Sequence, residues 1–158
     1  MADRRMNVLY VIPRYRTYGM EGHYVMPMGI LYVSAYVKRS GVANVHTLNL
    51  NHVEGAEYDI LERYIRENHI DMMGIGGLSG EYMDIARIVS YVDRIDPDVI
   101  IQVGGGIMTA DPEVTMKAMP EVDFGIIGEG EQTSVELIEA LGSGGDLSSV
   151  DGLIFRNG

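Results

Sequence analysis

Two glycine-rich turns carry the clearest chemical signal in this sequence: V-G-G-G-I-M-T-A-D-P-E from Val103 to Glu113, and I-I-G-E-G-E-Q-T from Ile126 to Thr133. Each sits where an apolar run gives way to a helical pattern. Glycine at such a place lets a ligand lie directly against the backbone, and in an open parallel sheet that is where ligands dock. A turn rarely needs three permissive residues in a row. Neither turn contains a lysine, so a phosphate held there must rely on backbone N–H groups and helix N-termini. A second signal is the long first loop, Arg14 to Met26, loaded with Tyr15, Tyr18, Met20, Tyr24 and Met26. That surface suits a broad, flat, largely apolar ligand face; it equally suits a loop that packs its aromatics onto its own domain. The chemistry implied is binding, with no catalytic residue and no protein metal ligand assigned.

The elements that must position these turns follow from hydrophobic periodicity. Short apolar runs alternate with longer stretches of 3.6-residue period, as repeated βα units require. The runs Val8–Ile12, Val45–Leu50, Met72–Gly76, Val99–Val103 and Phe124–Ile127 read as strands. Their near-continuous apolar character suits a sheet covered on both faces. Helices are expected to begin near Pro27, Ala56, Gly80, Pro112 and Glu131. Asp111-Pro112-Glu113 is the best-marked start, with a capping acid, proline at the first helical position and an acid in the first turn. Ile60, Leu61, Tyr64 and Ile65 form one apolar stripe; Ile85, Ile88, Val89 and Val92 form another, ended by Asp96-Pro97. The fold expected is α/β, a doubly wound Rossmann-like (flavodoxin-like) domain with a five-stranded parallel sheet and helices on both faces. This domain is assigned to residues 1–142. After the breaker Gly142-Ser143-Gly144-Gly145-Asp146, the segment Val150 to Arg156 reads as a short extra strand with no partner of its own. Residues 143–158 are therefore expected to be a linker and extra strand ending at a domain boundary.

Bulk properties narrow the function. A chain of 158 residues with 46% hydrophobic content suffices for one domain without staples, burying roughly 68–70% of its unfolded surface. It has no cysteine, which excludes disulfides, a thiolate zinc site and an iron–sulfur cluster held by this chain. A redox metal must therefore arrive inside a cofactor. The charge of −11, from 23 acidic and 12 basic residues, argues against a nucleic-acid partner, which needs clustered Lys and Arg. The start is charged and its apolar run is too short for a signal peptide or membrane span, so a cytoplasmic protein with no membrane partner is expected.

The usual tenants of this architecture demand residues that are not here. A dinucleotide site wants G-x-G-x-x-G after the first strand, where this chain has I-P-R-Y-R-T-Y-G from Ile12 to Gly19. The phosphate loop G-x-x-x-x-G-K-[ST] does not occur. A phosphorylatable receiver needs an aspartate ending the third strand and a lysine after the fifth; the sequence offers Gly76-Gly77 and Gly128-Glu129. A flavodoxin-like phosphate loop would be rich in hydroxyls, and only Thr17 is present.

Taken in order and spacing, P-M-G-I-L-Y-V-S-A-Y-V-K-R-S-G (Pro27–Gly41), I-D-M-M-G-I-G-G-L-S (Ile70–Ser79), the two glycine turns, and the closing V-D-G-L-I-F-R-N-G resemble the N-terminal cobalamin (vitamin B12)-binding domain of radical S-adenosylmethionine enzymes, commonly methyltransferases. The resemblance covers nearly the whole chain. It implies a corrin ring across the carboxyl edge of the sheet, with the dimethylbenzimidazole tail off the cobalt (base-off) and threaded into the domain. By the same resemblance, Leu78 and Ser79 line the tail channel. Gly104, Gly105 and Gly106 let the nucleotide lie against backbone, with Thr109 nearby. Gly128, Glu129 and Gly130 close the far side, Glu129 accepting from a ribose hydroxyl. Tyr15 and Tyr18 of the first loop are added as cofactor-binding residues.

One departure matters. Cobalamin domains that replace the tail with a histidine on cobalt resemble D-x-H-x-x-G after the first strand, whereas this loop reads Glu21-Gly22-His23-Tyr24-Val25-Met26. His23 lacks the orienting carboxylate and is read as a solvent histidine. The family's C-x-x-x-C-x-x-C motif is also absent, so the [4Fe-4S] cluster and S-adenosylmethionine are expected in a further radical S-adenosylmethionine domain, in cis or in trans. Two alternatives remain at this level: a cofactor-free interaction module that kept the fold, and a Rossmann-like domain for another small molecule or nucleotide.

Overall fold

The computed structural model of the protein describes residues 4–14 and 26–156. Its elements run β1 (Asn7–Ile12), α1 (Met28–Ser40), β2 (Asn44–Asn49), α2 (Glu57–Glu67), β3 (Met72–Gly76), α3 (Tyr82–Ile95), β4 (Ile100–Gly104), α4 (Gly106–Ala110), α5 (Pro112–Ala118), β5 (Phe124–Ile126), α6 (Gly130–Ser143) and β6 (Leu153–Phe155). The strands form one sheet in the order β2-β1-β3-β4-β5-β6. The first five are parallel; β6 is antiparallel to β5. The chain steps outward from β1 to β2 and then returns to the other side of β1, so the topological switch lies between β1 and β3. Crevices at such a point are the usual ligand sites of doubly wound sheets.

Strand alternation divides the core. Leu9, Val11, Met73, Ile75, Ile101 and Val103 face a layer supplied by Ile60, Leu61 and Ile65 of α2, Ile85, Ile88, Val89 and Val92 of α3, and Met116 of α5. Val8, Tyr10, Met72, Phe124 and Ile126 face Val37 of α1 and Val135, Leu137 and Ile138 of α6. Because helices cover both sides, successive residues of β1, β3, β4 and β5 are nearly all buried, which is why these strands read as apolar runs, whereas the edge strand β2 is buried only at Leu48. Both expected stripes are the buried faces of their helices, with Tyr64 at the margin of the first.

Local signals act as their chemistry requires, with three exceptions. Asp111 caps α5, accepting from the Val114 N–H at 3.3 Å, with Pro112 in the first turn. The first exception is α4, a five-residue helix too short to show a period of its own. The second is the start of α3, which begins at Tyr82, after a 3-10 turn over Ser79–Glu81 in which the Glu81 carboxylate accepts from the Leu78 N–H at 2.7 Å.

The third exception is the segment after α6, which was expected to form a strand without a partner. It pairs with β5 as Phe124↔Phe155, Gly125↔Ile154 and Ile126↔Leu153. The pairing has local causes. Gly152 adopts φ +76°, its carbonyl accepts from the Ile127 N–H at 2.8 Å, and Thr133 Oγ1 donates to the Asp151 carbonyl at 2.8 Å. Beyond β6, the Arg156 guanidinium donates to the carbonyls of Met116, Val122 and Met119.

These Arg156 bonds make a prediction. Arg156→Ala leaves three carbonyls without a charged donor, and a loss of about 1–2 kcal/mol is expected in urea unfolding. Amide hydrogen exchange should accelerate in β6 while the α2 and α3 amides keep their protection.

Candidate functional site

A cavity of about 540 Å³ opens at the carboxyl ends of β1, β3, β4 and β5. One wall is the first half of α1, through Pro27, Ile30 and Val33; the floor includes Tyr10 and Ile126; the opposite wall is built by the turns after β3 and β4. Its volume lies within the usual range for small-molecule and cofactor sites.

The glycine turns meet as backbone against backbone. A Cβ on Gly76 would stand 2.6 Å from the Gly104 carbonyl oxygen, and one on Gly105, whose φ is +82°, would stand 2.9 Å from that of Gly77. Neither backbone has room for a side chain. The Ile107 N–H donates to the Gly77 carbonyl at 2.9 Å and fixes the start of α4 over the end of β3. Thr109 then joins the two glycine turns, its Oγ1 accepting from the Gly128 N–H at 2.9 Å.

Leu78, Gly104, Gly105, Gly106, Thr109, Gly128, Glu129 and Gly130 are therefore brought together around one cavity. Ser79 is not among them: it is exposed and lies just outside the lining. Tyr15, Tyr18 and His23 lie outside the described residues. The base of their loop is nonetheless held firmly. Arg14, on the final described turn before it, donates from its side chain to the carbonyls of Leu50, Val53 and Gly55, and from its N–H to Glu57 at 3.0 Å. Glu57 is buried and paired with Arg87 at 2.5 Å. Burial alone would lower the Arg87 pKa, and the hydrogen bonds to Glu57 and Tyr58 more than reverse it, keeping the guanidinium charged.

Two functional candidates escaped the sequence reading. Tyr10 and Gln102, 1% and 5% exposed, both line the cavity, and the Tyr10 hydroxyl and Gln102 Oε1 have no hydrogen-bond partner. Native interiors satisfy nearly all buried polar groups, so a pair left open on a cavity wall points to a ligand. Burial pushes the Tyr10 phenol well above the ordinary tyrosine range; the neighbouring Ser134 hydroxyl offsets this in part, although no hydrogen bond of good geometry joins the two. The phenol is thus a neutral donor at physiological pH. Gln102 had a signal in the sequence, being the lone polar residue in the run I-I-Q-V of β4.

The rim is acidic and apolar. Glu81, Glu129 and Glu131 stand around the opening, and no Lys or Arg is among the described lining residues. Met26, Met28, Tyr32 and Leu78 are exposed near it. Among the described residues no group of His, Cys, Asp and Glu is placed to hold a metal ion, and no described helix is long and apolar enough to cross a membrane.

Comparison with known proteins bears on the fold and the family. The chain is 27% identical over 160 residues to an uncharacterized methyltransferase of Pyrococcus horikoshii, covering 96% of this chain and 33% of that protein. It is 26% identical to the anaerobic magnesium-protoporphyrin IX monomethyl ester cyclase of Rubrivivax gelatinosus, covering 95% of this chain and 28% of the cyclase. It thus spans about a third or less of these relatives. Among solved structures, the radical S-adenosylmethionine methyltransferase TsrM of Kitasatospora setae, with cobalamin and a [4Fe-4S] cluster bound, shares the fold over 98% of this chain and 27% of its own, at a TM-score of 0.80 and 17% identity. The cobalamin-dependent S-adenosylmethionine radical enzyme OxsB, with aqua-cobalamin and S-adenosylmethionine bound, does so over 98% of this chain and 21% of its own, at 0.72 and 19%. The family model of the B12 binding domain matches residues 21–138. That span takes in the end of the first loop, both glycine turns and every lining residue of the cavity except Tyr10, and it makes this chain a member of the B12-binding domain family, whose cofactor is cobalamin.

Proposed function

We propose that this chain is the cobalamin-carrying part of a radical S-adenosylmethionine enzyme of methyltransferase type, and that it holds the cofactor base-off at the carboxyl edge of its sheet. The observation that carries this reading is the depth of the cavity. It runs from the open rim down between α1 and the sheet to buried, unpartnered polar groups on β1 and β4, a shape that suits a long ligand tail better than a flat ring alone. When bound, cobalamin supplies a cobalt centre able to carry a methyl group.

The chain's own residues then have separate tasks. Gly104, Gly105 and Gly106 present bare backbone along one wall, and Thr109 keeps that wall in register with Gly128 and Gly130. Glu129, exposed at the rim, accepts from a ribose hydroxyl; with no basic lining residue present, the tail phosphate is left to backbone N–H groups and solvent. Leu78, with Ser79 beside it, forms the apolar lip under the corrin, and Tyr15 and Tyr18 of the first loop cover its lower face. No protein group coordinates cobalt in this reading. The domain's contribution is positioning. The iron–sulfur cluster and S-adenosylmethionine belong to a neighbouring domain, since this sequence has no cysteine.

The test is an anaerobic titration with methylcobalamin in the dark, desalting, and absorbance spectra at pH 7 and in acid. Free methylcobalamin is base-on at neutral pH and base-off in acid; the retained cofactor is expected to be base-off at both. A base-on spectrum at pH 7 overturns the threaded-tail reading. Gly105→Ala, which forces a Cβ against the Gly77 carbonyl from a left-handed backbone, should weaken retention about tenfold or more, roughly 1.4 kcal/mol of binding free energy. Thr109→Val should weaken it by a smaller factor, about threefold to tenfold, with little change in urea midpoint, because the exposed Gly128 N–H can turn to water.

A further inference from the structure

Tyr10 and Gln102 stand on the same face of the sheet with one glycine between them. Tyr10 is in register with Gly74 of β3, and Gly74 with Gln102 of β4. A Cβ on Gly74 would lie 2.6 Å from Tyr10 Cε1, so the phenol ring crosses over β3 and reaches toward β4. Gln102 is held there by its Nε2, which donates to the Ser134 hydroxyl at 3.1 Å. The same hydroxyl acts on Tyr10. One donor, the Tyr10 O–H, and one acceptor, Gln102 Oε1, are thereby gathered on the inner wall of the cavity with nothing in the protein to satisfy them.

A ligand group that replaces water at that wall must bring an acceptor for the phenol and a donor for the amide, or leave buried polar atoms unpaired. Dimethylbenzimidazole brings only part of this. Its free ring nitrogen is an acceptor, it has no N–H once joined to ribose, and its outer edge is two methyl groups. A purine such as adenine sets an amino group beside a ring nitrogen, a donor next to an acceptor. We propose that Tyr10 and Gln102 read the lower base of the cofactor and select cobamides with a purine-type base over cobalamin, which still binds but more weakly. This rests on the reading that the tail occupies the cavity. Sites built to hydrogen-bond a ligand discriminate strongly against analogues that lack the matching group.

The experiment compares dissociation constants at pH 7 for adeninylcobamide, cobalamin and cobinamide, which has no base, all reduced to the cobalt(I) form, in which no lower base is on the cobalt and its bond strength does not enter the ratio. The wild-type chain should bind adeninylcobamide about tenfold or more tightly than cobalamin, both base-off. Tyr10→Phe and Gln102→Met should each move that ratio toward one, chiefly by weakening adeninylcobamide, and leave cobinamide unchanged. Equal affinities in the wild-type chain, with both cobamides base-off, overturn the selectivity and leave the threaded tail standing. Binding of both no tighter than cobinamide overturns both readings. The wild-type ratio needs no variant, so a poorly folded Tyr10→Phe protein does not blunt the test.

Discussion

The close approach of two backbones, after β3 and after β4, is the contact on which the site depends. Gly76 against Gly104 and Gly77 against Gly105 are spaced so that an added Cβ would fall 2.6–2.9 Å from a carbonyl oxygen. Such spacing is available only without side chains. It sets the start of α4 onto the turn after β3 through the Ile107 N–H, which in turn places Thr109 where it can hold Gly128. Three successive strand ends are thus linked by short backbone and hydroxyl contacts into one continuous wall. The alternative, larger residues at these turns, would separate the strand ends and open the wall to water.

The two faces of the sheet are built to different standards. Under α2 and α3 the core is built on apolar side chains, with Ile85, Ile88, Val89 and Val92 fully buried, and the buried carboxylates of Glu57 and Asp84 are paired with Arg87. The face under α1 and α6 buries polar groups as well: Ser34 bonded to Thr47 at 2.6 Å, and Gln102 bonded to Ser134. Buried polar atoms are costly unless paired, and natural proteins commonly retain such costs where function needs them. Among the described residues the buried side-chain atoms without a partner, the Tyr10 hydroxyl and Gln102 Oε1, both lie on the side of α1 and α6, where the cavity opens.

Much of this was legible in the sequence because covered parallel strands and amphipathic helices leave strong patterns. All five parallel strands were placed within about a residue at each end, and the Asp111-Pro112 start acts as its chemistry requires. The glycine turns announced the carboxyl edge of the sheet, so eight of the residues expected at the site lie around a single cavity. What escaped was long-range or masked by context. The pairing of β6 depends on a strand some thirty residues earlier. Tyr10, inside L-Y-V-I, looks like any core residue, and its importance appears only when Gly74 is seen to give its ring room. A glycine within an apolar strand is the usual mark of such a close approach, and with Gln102 two strand positions in register it was the available clue.

The direction of β6 bears on how the domain is tethered. The strand enters beside Ile126 at the cavity end and leaves beside Phe124 at the opposite end, where Arg156 is pinned to the carbonyls around the end of α5. The end of β6 therefore lies at the opposite end of the sheet from the cavity mouth, about 10–17 Å from it at the usual rise per strand residue. In the proposed reading, a domain joined after β6 would be leashed at that end, and its linker would leave from the side away from the mouth.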